Sequence, residues 1–183
     1  MSNVRGDDTL SIYLNTNKPF ENYRELVNEE YFVDKSSMIT LLNQRISTKS
    51  KYICITRPRR FGKSSAADMI GAYYSKAVDS KEIFDNLNIS KAATYMEHLN
   101  KYNVISISFN AISENGNTYD DYIKMIRDTI KKDIAQKYPH IIPDEYFNLS
   151  SMLYDTKDKF IFIFDEWDYI FSNNLFEENQ NDF

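Results

Sequence analysis

Apolar positions along the chain change their period several times, and each change predicts an element. Thr9–Leu14 (TLSIYL) places Leu10, Ile12 and Leu14 on one face, the pattern of a short strand. Pro19 breaks the chain, and Phe20, Tyr23 and Val27 follow at helical spacing. Asp34 or Ser36 can cap a second helix whose apolar residues are Met38, Ile39, Leu41 and Leu42. Tyr52–Ile55 reads as a short apolar strand entering a tight basic loop. The helix after that loop continues through Ala66, Ala67, Ile70, Tyr73 and Tyr74, with a weakening Gly71 inside it. Ser80–Leu99 reads as two short helical pieces around Asn86–Ser90. Asn103–Phe109 alternates Val104, Ser106 and Ser108 against Ile105, Ile107 and Phe109, a clear strand, and Asn115-Gly116 marks a turn. Tyr119–Tyr138 is the cleanest amphipathic helix, with Ile123, Ile126, Ile130 and Ile134 in one stripe. Lys131 and Lys132 fall on its solvated face, and Pro139 ends it. A short helix over Tyr146–Tyr154 precedes Phe160–Phe164, an apolar run suited to the interior of a parallel sheet covered on both faces.

Two of the predicted strands end in residues that carry chemistry. The first leads to Gly62-Lys63-Ser64 at the start of a helix. Strand, glycine-bearing loop, Gly-Lys-Ser and helix form the arrangement that cradles nucleoside polyphosphates. Backbone N–H groups at the helix start face the phosphates, and the helix dipole favours their charge. Lys63 would reach the terminal phosphates and the Ser64 hydroxyl would ligate Mg²⁺. The usual pattern has a second glycine five positions before Gly62, where this chain has Arg57. Pro58 follows and offers no N–H to a phosphate. The loop supplies charge instead, with Arg57, Arg59, Arg60 and Lys63 inside seven residues. The competing reading is a solvated basic turn that binds nothing.

The second is Lys159–Asp168 (KFIFIFDEWD), whose apolar run ends in Asp165-Glu166. Carboxylates at the C-terminal end of a parallel strand sit where open α/β sheets bind ligands. Asp165 would hold Mg²⁺ through water, and Glu166 would polarise the attacking water. Acidic residues also end many strands by chance; two such signals in the correct order are much harder to dismiss.

Three segments together resemble the AAA-ATPase-like domain family. They are Tyr31-Phe32-Val33-Asp34-Lys35-Ser36, Thr56-Arg57-Pro58-Arg59-Arg60-Phe61-Gly62-Lys63-Ser64 and Phe164-Asp165-Glu166-Trp167-Asp168. The family typically reads YVDKT, TRPRRFGKS and IDEYD in these places, so Arg57 follows the family's own Walker A pattern. Trp167 stands where the family usually has tyrosine. The resemblance covers roughly residues 20–171 and implies an α/β fold, a three-layer P-loop NTPase-like sandwich with a mostly parallel sheet. It implies ATP and Mg²⁺ as cofactors. Arg57, Arg59, Arg60, Phe61, Gly62, Lys63, Ser64 and Ser65 would form the nucleotide site, Ser64 and Asp165 would serve the metal, and Glu166 would be the catalytic residue of the Walker B segment. The entry segment Tyr31–Lys35 would lie near the adenine; a packed strand-to-helix corner is the alternative.

Composition narrows the picture. The 183 residues suit one domain, residues 1–183, with a polar, frayed start over 1–8 and a polar tail over 175–183. Fourteen Tyr and twelve Phe point mainly to core and half-buried surface. A net charge of −5 argues against broad nucleic-acid binding. The single cysteine, Cys54, cannot form a disulfide within the chain and reads as a small buried hydrophobe. His98 and His140 read as surface histidines. No apolar run approaches membrane-spanning length, and none at the N-terminus resembles a signal core, which suggests a soluble cytoplasmic protein.

Fifteen residues follow Asp168 (183 − 168). In the resembling class the sheet continues with two more strands, the first lying between the phosphate-loop strand and the Asp-Glu strand. The sheet is therefore expected to be incomplete at the C-terminal end, as in a fragment, a shortened relative or a rebuilt fold. The remaining strands could pair directly, Thr9–Leu14 could fill the gap, or a partner chain could donate a strand. Two functions compete. One is an Mg²⁺-dependent ATP-binding domain, a P-loop ATPase whose hydrolysis is slow or needs a partner or self-association. The other is a non-hydrolysing interaction or inhibitor module, such as a mobile-element or anti-defence protein that binds a host protein or nucleoprotein.

Overall fold

The computed structural model describes residues 11–56, 58, 61–111 and 118–169. The expectations for Leu10, Arg57, Arg59, Arg60, Asn115-Gly116 and the polar tail concern residues outside them. The described residues form an α/β structure with a two-stranded parallel sheet and seven α-helices. The strands are β1 (Asn103–Ser108) and β2 (Phe160–Asp165), paired directly from Asn103↔Phe160 to Ser108↔Asp165. The helices are α1 (Lys18–Val27), α2 (Ser37–Asn43), α3 (Lys63–Tyr74), α4 (Lys81–Phe84), α5 (Tyr95–His98), α6 (Tyr119–Lys137) and α7 (Leu149–Asp155).

Strand alternation sends side chains to two separate cores. Val104, Ile161 and Ile163 join Tyr23 of α1, Ile39 of α2 and Met69, Ala72, Tyr73 and Tyr74 of α3. Ile105 and Ile107 join Leu14, the Ile126–Ile130–Ile134 stripe of α6 and Met152 of α7. The helical stripe in α6 thus buries as its period requires, although Lys131 also reaches the Tyr146 carbonyl at 3.4 Å.

The first helix begins earlier than its apolar spacing suggests. Pro19 lies in its first turn, where a missing N–H costs nothing, so it starts α1 rather than breaking the chain. The same proline explains Gly71. An ideal Cβ at Gly71 would stand 2.8 Å from Pro19 Cβ and 3.7 Å from Ile163 Cδ1. Glycine here lets α1, α3 and β2 stack closely, and that approach outweighs its weak helix propensity.

Two carboxylates tie distant segments to this frame. Asp133 of α6 is buried and accepts the backbone N–H groups of Ile12, Tyr13 and Leu14 at 3.1, 2.7 and 3.0 Å. This anchor lays the N-terminal segment along the edge of β1 away from β2, where Leu14 bridges Ile105 in antiparallel fashion. Asp158, just before β2, accepts from Lys76 Nζ at 2.7 Å, Asn103 Nδ2 at 3.1 Å and the Tyr138 hydroxyl. The hydrogen bond from Lys76, helped by that from Tyr138, pulls its carboxyl down to about 2.

Several expectations need correction. Residues 52–55 form no strand: Tyr52 is 86% exposed, Ile53 and Ile55 are also exposed, and so is Cys54. Among the described residues no strand pairs with this stretch. Phe160–Phe164 is a strand, yet Phe162 and Phe164 are exposed and only Ile163 is buried. That face is only partly covered: Phe160 packs at the margin of the α6-side core and Phe164 meets Phe109 edge-on at 5.8 Å, short of the full burial that the apolar run suggests. Ser80–Leu99 holds α4, a 3₁₀ turn at Asn88–Lys91 and α5. His98 is buried rather than superficial, with Nδ1 2.7 Å from the Tyr102 hydroxyl and its ring stacked on Tyr102. Burial lowers its pKa, which keeps the ring neutral. His140 is at the surface as expected.

Two stability measurements test this frame. Alanine at position 71 would gain roughly 1 kcal/mol of helix propensity but force overpacking worth about 1–3 kcal/mol against Pro19. Gly71→Ala should therefore lower the urea midpoint, and an unchanged or higher midpoint would show that α1 can yield. Asp133→Ala strands three backbone N–H groups and should cost about 2–4 kcal/mol, read by the same denaturation. A loss within 0.5 kcal/mol (roughly the scatter of neutral surface changes) would mean that the N-terminal segment is not held this way.

Candidate functional site

The orientation of α3 against β2 places the predicted residues. Gly71 packs beside Ile163, and Asp68 lies within electrostatic reach of Asp165. The helix therefore runs opposite to the strand, and its first turn projects past the C-terminal end of β2. Ser64 precedes Asp68 by one helical turn, about 6 Å of axis. Lys63 and Ser64 on α3 thus come to the strand end that carries Asp165 and Glu166.

Gly62 is the N-cap residue of α3 and adopts φ +73°, a left-handed conformation that a side chain would strain. It provides no side-chain cap, and the first amides of a helix have no partner within it. An ideal Cβ at Gly62 would stand 3.1 Å from Lys35 Nζ and 3.9 Å from Ser65 Oγ. Phe61 is 61% exposed beside it, and its N–H reaches the Pro58 carbonyl at 3.4 Å.

On the strand side, Ser108 pairs in register with Asp165, and its hydroxyl donates to Asn110 Oδ1 at 2.7 Å. Glu166 takes φ +51°, rare for a residue with a side chain, and its N–H donates to Asp165 Oδ1 at 3.0 Å. This bond fixes the turn that carries both carboxylates out of the strand.

The chemistry of Asp68 is not apparent from the sequence. Burial is the main cause that raises its carboxyl to about 6; the nearby Asp165 charge adds to this, while the Asn22 hydrogen bond and Lys18 oppose it. Its position one turn after Ser64 on a helix of known start was the available signal. Lys35 belongs to the entry segment, and only the fold brings it to Gly62.

The residues suit a hard cation and phosphate. A serine hydroxyl and a carboxylate are oxygen donors of the kind Mg²⁺ takes alongside water and substrate phosphates. The left-handed Gly62, without a Cβ, lets a charged group approach the backbone at the helix start closely, as Lys35 Nζ does. Among the described residues no three His, Cys, Asp or Glu side chains gather as a metal cluster, and no helix is long and apolar enough to cross a membrane.

A family model described as "AAA-ATPase_like: Predicted AAA-ATPase" matches residues 19–182. The chain belongs to the AAA-ATPase-like family. No curated protein and no solved structure matches it. Membership suggests nucleotide binding in general terms, and the family match spans the three segments that carry the sequence resemblance.

The carboxyl pair gives a pH test. With its carboxyl raised, folded Asp68 prefers its proton, so its ionisation opposes folding above about pH 6. Asp68→Asn should raise the melting temperature of the ligand-free protein at pH 8. The expected gain is about 2–4 °C, or roughly 1 kcal/mol after allowing for solvent screening. That gain should shrink as pH falls from about 6 towards 4. A difference independent of pH would remove the electrostatic explanation.

Proposed function

We propose that this chain is an Mg²⁺-dependent ATP-binding P-loop domain with a three-layer, mostly parallel core. The observation that carries the reading is the packing of α3 on β2, with Gly71 against Ile163 and Asp68 within electrostatic reach of Asp165, which directs the helix start towards the β2 end that bears Asp165 and Glu166. Family membership supports the same reading.

In this proposal the α3 amides and the side chains of Arg57, Arg59, Arg60, Lys63 and Ser65 hold the phosphates, with Phe61 against the nucleotide. Ser64 and Asp165 hold Mg²⁺, which when bound neutralises charge on the phosphates. Glu166, on its fixed turn, orients a water and accepts its proton. Hydrolysis is slow or requires a partner.

A second reading has its own observation. Phe162 and Phe164 are exposed on β2, and Tyr52, Ile53 and Ile55 are exposed nearby in sequence to the phosphate loop. These apolar surfaces favour a protein interaction that accompanies, or replaces, turnover.

Calorimetry of Mg²⁺-ATP binding separates the readings. Wild type should bind, and Lys63→Ala should weaken binding about 100-fold, as loss of a charge-assisted phosphate contact implies. Glu166→Gln should retain binding and lose any hydrolysis. Failure of well-folded wild type to bind would leave the interaction reading.

A further inference from the structure

Lys35 comes from a segment remote from the phosphate loop in sequence, yet its ammonium stands at the N-cap of α3, 3.1 Å from where a Gly62 Cβ would be. We propose that Lys35 is a second phosphate-binding cation, gripping the polyphosphate of a nucleotide opposite Lys63. The inference rests on the nucleotide-binding reading above and assigns to the phosphates a residue of the entry segment, for which the family resemblance implies a place near the adenine and the alternative is a packed corner.

Charge is the first argument. A helix start carries the positive end of the dipole, so an ammonium there is repelled by it and by neighbouring Lys63. Among the described residues Lys35 makes no ion pair that would offset this. Without an anion these repulsions are uncompensated; a phosphate bound between the two lysines and the helix start would add attractions to each that outweigh them.

Anchoring is the second. Asp34 Oδ1 accepts the Ser36 N–H and Oδ2 accepts the Asn88 N–H, both at 2.7 Å. The wholly buried Ser36 accepts the Ile89 N–H at 3.0 Å, and the Lys35 carbonyl accepts the Met38 N–H at 3.0 Å. Burial pushes the Asp34 carboxyl up, but the hydrogen bonds from Ser36 and Asn88, with the charge of Lys91, outweigh it and leave it below its ordinary value. The residues on either side of Lys35 are thereby clamped, while its own side chain is exposed. A fixed root with a flexible, compact charge suits a phosphate oxygen.

The test compares wild type, Lys35→Gln, Lys35→Arg and Lys63→Ala by calorimetry, using Mg²⁺-ATP and Mg²⁺-bound inorganic triphosphate as probes. Lys35→Gln should weaken both probes about tenfold or more, and Lys35→Arg should restore most of the loss. Without ligand, Lys35→Gln should melt at or above the wild-type temperature, because the substitution removes a repelled charge. Unchanged affinity in Lys35→Gln alongside loss in Lys63→Ala would overturn this proposal and leave nucleotide binding intact. Weakened ATP with unchanged triphosphate would move Lys35 to the base or sugar and also overturn it. A ligand-free Lys35→Gln protein melting several degrees lower would make the residue structural. Wild type that binds neither probe would remove the nucleotide reading itself.

Discussion

The close approach of α1, α3 and β2 at Gly71 governs the rest of this protein. With Pro19 on one side and Ile163 on the other, there is no room for a Cβ, so α3 has only one depth at which to lie on the sheet. Its depth and direction put Asp68 beside Asp165 and carry the helix start beyond the strand. The position of every candidate phosphate-binding group on α3 follows from that contact. Packed interiors transmit such constraints because they have little slack.

The two ends of the sheet are built on opposite principles. At the N-terminal end, polar groups are paired: Asp158 collects Lys76, Asn103 and Tyr138, and Asn103 also receives the Asn15 side chain at 2.8 Å. At the C-terminal end, interactions are left unfavourable. Asp68 is desolvated near another carboxylate, and the Lys35 ammonium stands at a positive helix end. Satisfied pairs stabilise the fold, whereas repelled charges persist where the surrounding structure over-determines them and a ligand can relieve them.

Exposed rings on β2 and the bare 52–55 stretch share one cause. Both sequences are apolar enough for a sheet interior, but a strand is buried only if neighbours pair its edges and cover its faces. Direct pairing of β1 with β2 satisfies one edge of β2, and Asp133 steers the N-terminal segment to the far edge of β1. Apolar character was therefore a sound guide to strand tendency and a poor guide to burial.

The sequence by itself determined the elements whose signal is local. The α6 stripe, the alternation of Asn103–Phe109, the helix after Gly62 and the strand ending at Asp165 depend on period and on residue chemistry a few positions apart. The Gly-Lys-Ser and Asp-Glu pairs were legible for the same reason. Tertiary structure decided what depends on residues far apart in the chain. Pro19 became a helix start and Gly71 a packing site only against each other; His98 was buried by its stacking on Tyr102 within a core that non-local packing closes. Asp68 gained its proton affinity from burial and from Asp165, and Lys35 met Gly62 because Asp34 and Ser36 bind the turn at Asn88–Ile89. Periodicity records which way a side chain points, but only the assembled fold fixes what it meets there.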